Sequence, residues 1–90
     1  MLRQHMIVYG HVQGVGFRQY TKQTALRHSV QGWVRNRPDG TVEIDAQGTE
    51  EKMKQFVKSI QLGSPASQVE RIEVSTRKPE ENSRSFTIRY

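Results

Sequence analysis

Stretches with the periodicity of strands and of helices alternate along the 90 residues of the chain in the order strand, helix, strand, strand, helix, strand, with one further short strand. The predicted strands span residues 5–11, 30–37, 42–47, 69–77 and 83–90, and the predicted helices span about 17–28 and 50–62. Two strand–helix–strand units in this order form a sandwich in which both helices cover one face of an antiparallel sheet. The chain is therefore predicted to be an α+β protein with a ferredoxin-like fold, βαββαβ plus a short C-terminal strand, in a single domain over residues 1–90.

The third strand indicates most clearly which side chains face the core. Apolar and polar residues alternate strictly between positions 42 and 47, which is typical of a sheet with one face on a core and the other in water. The polar residues Glu43, Asp45 and Gln47 are therefore expected in water. Each helix carries an apolar face at helical spacing. These faces consist of Phe17, Tyr20, Thr24 and Ala25 in the first helix and of Met53, Phe56, Val57 and Ile60 in the second, which Thr49 is predicted to cap.

Composition limits the classes of protein to which the chain can belong. The sequence has no cysteine, which excludes disulfide scaffolds, thiol catalysis and zinc sites with cysteine ligands. Fourteen Lys and Arg against nine Asp and Glu give a formal charge of +5, which attracts anions of any kind. The first residues contain neither a long apolar span nor the apolar region of a signal peptide, so we expect a soluble, cytoplasmic protein.

Residues 10–18 join the first strand to the first helix through a loop that contains Gly14 and Gly16. Backbone N–H groups in such a loop and at a helix N-terminus favour an anion, and phosphate is the expected one. Glycine permits positive φ angles and close approach of the backbone, and the planar fork of Arg18 matches two phosphate oxygens. The loop is neither a Walker A motif nor G-x-G-x-x-G. The residues alone leave a second interpretation open, in which the glycines only form a turn and Arg18 is solvated.

Two long motifs resemble those of the acylphosphatases, small enzymes that hydrolyse the carboxyl–phosphate anhydride of acyl phosphates. The first is Gly10-x-Val12-Gln13-Gly14-Val15-x-Phe17-Arg18, and the second is Gly32-Trp33-Val34-Arg35-Asn36 followed by Gly40-x-Val42 and Gly48. Gly63-Ser64-Pro65 and the closing Phe86-Thr87-Ile88-Arg89-Tyr90 match the family as well, so the resemblance covers the whole chain. It implies the ferredoxin-like fold and the hydrolysis of acyl phosphates to carboxylate and inorganic phosphate.

The leaving group decides which catalytic groups this reaction needs. An acyl phosphate releases a carboxylate, which is a weak base, so no general acid is required. The protein must hold the phosphoryl group, neutralise its charge and place a water in line with the leaving oxygen. The predicted phosphate-binding groups are the Arg18 guanidinium and the loop residues Gln13, Gly14, Val15, Gly16, Phe17 and Arg18.

Asn36 is the candidate for orienting the attacking water, because a neutral carboxamide binds water without repelling the phosphate. Its side chain has the same pleat parity as that of Val34 and is therefore expected on the core-facing side of the sheet, near the rim where the first helix begins. From the residues alone, a role in capping a strand or a turn stays open. In the family that the chain resembles, this asparagine orients the water.

The histidines and carboxylates of the sequence show no pattern of a metal site. His5, His11 and His28 have no ligand spacing and fall on no motif position, and no carboxylate cluster indicates Mg²⁺, so catalysis without metal or cofactor is expected. Two rival functions are a nucleic-acid-binding module, whose aromatic motif is absent, and a regulatory domain without turnover. We expect a monomer that binds a small acyl phosphate, and inorganic phosphate as product and inhibitor, but neither nucleic acid nor membrane.

The resemblance also ranks the two loop glycines. Gly14 falls on a fixed position of the motif, whereas Gly16 falls where the motif admits other residues. Position 16 is therefore expected to have backbone angles that a side chain tolerates, so that Gly16→Ala keeps activity and stabilises the fold. Ser29 stands where the family usually has a glycine in a left-handed cap of the first helix.

Overall fold

Five strands and two helices make up the computed structural model, which describes residues 1–90. In chain order they are β1 (Leu2–His11), α1 (Phe17–Arg27), β2 (Gln31–Asn36), β3 (Val42–Gly48), α2 (Glu50–Leu62), β4 (Gln68–Arg77) and β5 (Phe86–Arg89). This is the predicted order, and the predicted bounds differ most in β1, which begins three residues earlier, and in β5, which is only four residues long. Neither helix is long and apolar enough to cross a membrane.

The strands form one sheet in the order β4-β1-β3-β2-β5. The pairs β1–β3, β1–β4 and β2–β3 are antiparallel, as predicted, but β5 runs parallel to β2, so the sheet is mixed. The prediction of a purely antiparallel sheet was therefore wrong for its last strand. The reason is topological: β4 lies at one edge, and the chain crosses the whole sheet through residues 78–85 before β5 pairs at the other edge.

A single core of 14 buried apolar residues fills the space between the helices and the sheet, which confirms the ferredoxin-like sandwich. Both helices contribute to it, α1 through Phe17 and Ala25 and α2 through the buried Met53, Phe56 and Ile60. In α1 the buried positions include Thr21, whereas Tyr20, which was predicted on this face, is only partly buried. The apolar residues of β3, Val42, Ile44 and Ala46, are fully buried.

The opposite face of β3 is not in water, contrary to prediction. Asp45 and Gln47 are only 4% and 3% exposed. Arg3 covers Asp45 and donates to its Oδ1 from Nε at 2.7 Å. The Gln47 side chain is held by the backbone of Glu80, in the segment that crosses this face on its way to β5. The alternating pattern predicted correctly which side chains share a face. It did not predict that Arg3 and the segment around Glu80 bury Asp45 and Gln47.

The turns and helix ends follow the predicted local chemistry. Thr49 caps α2, since its Oγ1 accepts from the backbone N–H of Lys52 at 3.2 Å. Ser29 follows α1 with φ of 56°, the left-handed conformation that was predicted at this position. In the turn between β2 and β3, the Gly40 N–H donates to the Arg37 carbonyl at 3.1 Å. This turn sets the position of the residues that end β2 and begin β3.

Candidate active site

The loop between β1 and α1 is built on two glycines in the left-handed conformation. Gly14 has φ of 74°, and Gly16 has φ of 75° and ψ of 18°. An L-residue with a Cβ adopts this conformation at a cost of about 1–2 kcal/mol. The expectation that position 16 has backbone angles that a side chain tolerates was therefore wrong. Both positions need glycine for the same backbone reason, although a Cβ at either one would meet no other atom within 4 Å.

The first turn of α1 has no internal partner for its donors. Gly16 is the N-cap and supplies no side-chain cap, and the first turn contains no acidic residue. The first helical hydrogen bond runs from the Tyr20 N–H to the Gly16 carbonyl at 3.0 Å, which leaves the N–H groups of residues 17–19 without a helical acceptor. By contrast, α2 has a threonine cap and two glutamates in its first turn. The start of α1 is thus the helix end that suits an external anion.

A cavity of about 170 Å³ opens at this helix end and brings together the two predicted catalytic residues. The residues that line it are Val12, Gly14, Gly16, Phe17, Arg18, Gln19, Asn36, Ile88 and Tyr90. None of them is an Asp or a Glu, so no acidic side chain in the wall repels an anion in the cavity. Gly14, Gly16 and Phe17, three of the predicted loop residues, also line it.

Gln13 and Val15, the other two predicted loop residues, do not line the cavity. The Gln13 side chain donates from Nε2 to the carbonyls of Arg37 and Thr41, at 2.8 Å each. It therefore ties the loop to the β2–β3 turn. Val15 is partly buried and packs against the core. Both side chains shape the loop from outside the cavity.

Arg18 lines the cavity, and its guanidinium is placed by contacts with the last residues of the chain. Its Nη1 lies 3.5 Å from the carbonyl oxygen of Arg89, and its Cζ lies 4.7 Å from the centroid of the Tyr90 ring. It makes no salt bridge with any carboxylate. Arg89 in β5 and Tyr90 therefore orient the guanidinium, and no acidic side chain neutralises its charge.

Asn36 is the last residue of β2 and pairs with Val42 in the sheet. Its side chain lies on the core side of the strand, as predicted from the parity with Val34, and lines the cavity. The Oδ1 atom is buried and accepts no hydrogen bond from any protein group. A buried amide oxygen without a partner costs about 1–3 kcal/mol, so this atom favours a bound donor in the cavity.

Four lining residues were missed by the sequence analysis: Val12, Gln19, Ile88 and Tyr90. Val12 stands in the first motif, and Ile88 and Tyr90 stand in the closing segment that matched the family, so the motifs carried a signal for these three. No feature of the sequence pointed to Gln19. A hydrophobic wall from the C-terminal segment could not be foreseen because it depends on the parallel pairing of β5 with β2.

The molecule contains a larger groove of about 610 Å³ between the start of β1 and α2. Leu2, Val57, Lys54 and Lys58 are among its lining residues. Its lining includes the acidic Glu50 at the start of α2 and none of the predicted site residues. The smaller cavity at α1 is therefore the candidate active site.

The histidines lie outside this cavity. His5 Nε2 is 2.6 Å from Glu43 Oε2 on the outer face of the sheet, and neither His11 nor His28 lines the cavity. No group of three or more His, Asp or Glu side chains is placed to hold a metal ion. The polar side chains among the lining residues are those of Arg18, Gln19, Asn36 and Tyr90, and the loop and helix start add backbone N–H groups.

The acylphosphatase family model matches residues 4–88. The chain belongs to the acylphosphatase family. It is 51% identical over 90 residues to an acylphosphatase of Bacillus licheniformis, with all of both chains covered. The crystal structure of an acylphosphatase from Bacillus subtilis is 43% identical and superposes with a TM-score of 0.96, again with complete coverage of both chains. The structure of HypF from T. kodakarensis matches at 32% identity and a TM-score of 0.87, and this chain spans 12% of it.

Proposed function

We propose that Arg18 and the N–H groups at the start of α1 bind the phosphoryl group, and that Asn36 orients the attacking water. The reaction itself follows from membership of the acylphosphatase family: the protein is a hydrolase that converts acyl phosphates to carboxylate and inorganic phosphate. The observation that carries the division of roles is that Arg18 and Asn36 line one cavity with the glycine loop, although 18 positions separate them in the sequence.

Binding of the phosphoryl group rests on donors without competing charge. The free N–H groups of residues 17–19 and the helix dipole favour the negative oxygens, and the Arg18 fork donates to two of them. Charge-assisted hydrogen bonds of this kind are about twice as strong as neutral ones. Because no Asp or Glu lines the cavity, no acidic side chain there offsets their attraction. The predicted loop ligands Gln13, Gly14, Val15, Gly16, Phe17 and Arg18 act through their backbone amides in this scheme.

Activation of the water rests on Asn36. Asn36 lines the cavity, and no protein group occupies its Oδ1, so its carboxamide is available to the water; the neutral amide does not repel the phosphoryl oxygens as a carboxylate would. A water that is held in this way attacks phosphorus in line with the leaving carboxylate oxygen. The leaving carboxylate is a weak base and departs without a proton from the protein. No acid, metal or cofactor is assigned to the step.

Inorganic phosphate, the product, binds the same donors and is therefore expected to inhibit competitively. Three further properties stay predictions: the enzyme is a monomer, it lies in the cytoplasm, and it does not bind nucleic acid. A regulatory domain without turnover is the alternative function, since the match to 12% of the HypF chain shows that a similar domain also occurs within a much longer protein. Hydrolysis of an acyl phosphate by the isolated protein distinguishes the two.

The role of Arg18 is tested by hydrolysis of benzoyl phosphate by the wild type, Arg18→Ala, Arg18→Lys and the control Arg27→Ala. Arg27 lies in the last turn of the same helix, outside the cavity. We expect kcat/KM to fall by about 100- to 1,000-fold in Arg18→Ala. Arg18→Lys is not expected to restore it, because a point charge cannot make the paired contact. Full activity of the lysine variant would refute the assignment, and an inactive wild type would favour the regulatory alternative.

A further inference from the structure

A second cavity, of about 210 Å³, lies on the outer face of the sheet, away from the helices. It shares no lining residue with the active site. Strand β5 separates the two: Thr87 and Arg89 line the second cavity, whereas Ile88 and Tyr90 line the active site. Alternate side chains of one strand point to opposite faces of a sheet, so these are two independent sites.

The segment of residues 78–85 forms one wall of this cavity and is fixed to the sheet by hydrogen bonds. The Gln47 side chain donates to the Glu80 carbonyl at 2.7 Å and accepts from the Glu80 N–H at 2.8 Å. The Arg3 guanidinium donates to the Lys78 carbonyl at 3.0 Å, and the Gly32 N–H donates to the Ser85 carbonyl at 2.8 Å. The backbone of this wall is therefore held to the sheet at Lys78, Glu80 and Ser85.

The negative charges in the cavity are neutralised. The buried Asp45 carboxylate is bound by Arg3 at 2.7 Å and faces Arg77 at 3.7 Å. Glu80 is exposed and pairs with Arg3 at 3.1 Å. Each carboxylate of the lining is thus paired with at least one arginine.

Two arginines of the cavity have no acidic partner. Arg84 and Arg89 make no salt bridge, and the Arg89 guanidinium lies over the Trp33 ring with its Cζ 4.4 Å from the centroid. Trp33 is the one apolar residue of the lining, and hydroxyl and amide groups from Asn82, Ser83, Ser85 and Thr87 make up much of the rest. A polar cavity with surplus positive charge and many small donors matches an oxyanion.

We propose that this outer cavity is a second binding site, for the carboxylate or phosphate group of a small polar molecule. Arg84 and Arg89 donate to the oxyanion, and the serine and threonine hydroxyls bind its remaining polar atoms. The guanidinium fork suits carboxylate and phosphate equally, so the experiment has to distinguish these two sources of the charge.

The single tryptophan of the chain makes the site directly observable. Because Trp33 lines the outer cavity and not the active site, its fluorescence reports on the outer cavity. We would titrate the wild type and Arg18→Ala with inorganic phosphate and, separately, with succinate. Arg18→Ala removes the principal phosphate ligand of the active site, so that a signal which survives in it arises elsewhere.

The expected result is a saturable change in Trp33 emission that persists in Arg18→Ala. A response to phosphate alone assigns the site to phosphate groups, and a response to succinate assigns it to carboxylates. Adding Arg84→Ala or Arg89→Ala should weaken the affinity by at least about tenfold, while Arg71→Ala, on β4 outside the cavity, should not change it. Thermal melts verify that each variant is folded. No saturable response to either probe, loss of the response in Arg18→Ala, or an affinity unchanged by both Arg84→Ala and Arg89→Ala would overturn the proposal.

Discussion

Gly16 ends the loop between β1 and α1 and is the N-cap of α1, and both positions depend on its backbone. At φ of 75° and ψ of 18° the residue begins a helix whose next three N–H groups have no helical acceptor. A residue with a Cβ resists this turn, since the left-handed region brings Cβ close to the carbonyl oxygen. The absence of a side-chain cap at Gly16 agrees with the proposed function, in which the substrate binds the donors that a capping side chain would occupy.

Gly16→Ala is therefore expected to destabilise the protein by about 1 kcal/mol, since the strain outweighs the smaller entropy of the unfolded chain. Thermal or urea melts measure the change. Gly48→Ala is the matched control: Gly48 lies in β3 without a positive φ, and its added Cβ would make only ordinary contacts. If Gly16→Ala proved as stable as the wild type, the conformation assigned to the loop would be wrong.

The residues of the site were predictable to the extent that they stand in the motifs. Arg18 and Asn36 followed from the chemistry of the reaction together with the resemblance, and both line the cavity. The conformation of Gly16 was not predictable, because a motif position that admits other residues does not reveal the backbone angle of this chain. The hydrogen bonds of Gln13 to the β2–β3 turn also required coordinates, since they join positions 24 and 28 residues apart.

At the scale of the elements, the outer face of the sheet is held together by charged side chains across neighbouring strands. Glu43 on β3 lies between His5 on β1 and Arg35 on β2 and contacts both. Burial raises the pKa of the Glu43 carboxyl, but the hydrogen bonds with His5 and Arg35 outweigh burial and hold its pKa below the ordinary value of 4.5. The ionised form of Glu43 is thus favoured in the folded state.

A depressed pKa in the folded state has a definite consequence for stability in acid. The contribution of Glu43 is fully present above its unfolded pKa and is lost as pH falls through the folded pKa, below 4.5. Glu43→Gln should therefore lose less stability than the wild type between about pH 6 and about pH 3. Urea melts at both pH values measure this, with the exposed and unpaired Glu70→Gln as control. Equal acid sensitivity of Glu43→Gln and the wild type would contradict the assigned pKa.

The elements themselves were largely predictable, because each has a strong local signal. Alternation marked β3, helical spacing marked α2, and Thr49 and Gly63 marked its ends. The direction of β5 and the cover over Asp45 and Gln47 were not predictable. Both depend on where residues 78–85 cross the sheet, and that polar segment has no periodicity that would reveal its course.

At the scale of the whole molecule, the topology assembles the site from three parts of the chain. The start of α1 supplies the loop and Arg18, the end of β2 supplies Asn36, and β5 with Tyr90 supplies a wall and a carbonyl contact for Arg18. The βαββαβ order was readable from the sequence, and it brings the first two parts to one end of the sheet. The third part depends on the parallel edge strand.

The distribution of ionisable groups over the molecule leads to a prediction about metals. The charged residues pair with one another across the sheet, and no set of three or more acidic or histidine side chains converges. Since the proposed step uses only Arg18, Asn36 and backbone N–H groups, exhaustive treatment with EDTA should leave the rate of benzoyl phosphate hydrolysis unchanged. A rate that fell with EDTA and returned with Mg²⁺ would contradict the mechanism.

The division of roles between phosphate binding and water activation is tested most directly by Asn36→Ala. The measurement is kcat for benzoyl phosphate together with the inhibition constant of inorganic phosphate, in this variant and in the wild type. If Asn36 acts on the water alone, kcat should fall by about two to three orders of magnitude while the inhibition constant stays within a few-fold of the wild-type value. An inhibition constant that rose as far as kcat fell would instead make Asn36 a ligand of the phosphate and contradict the proposed mechanism.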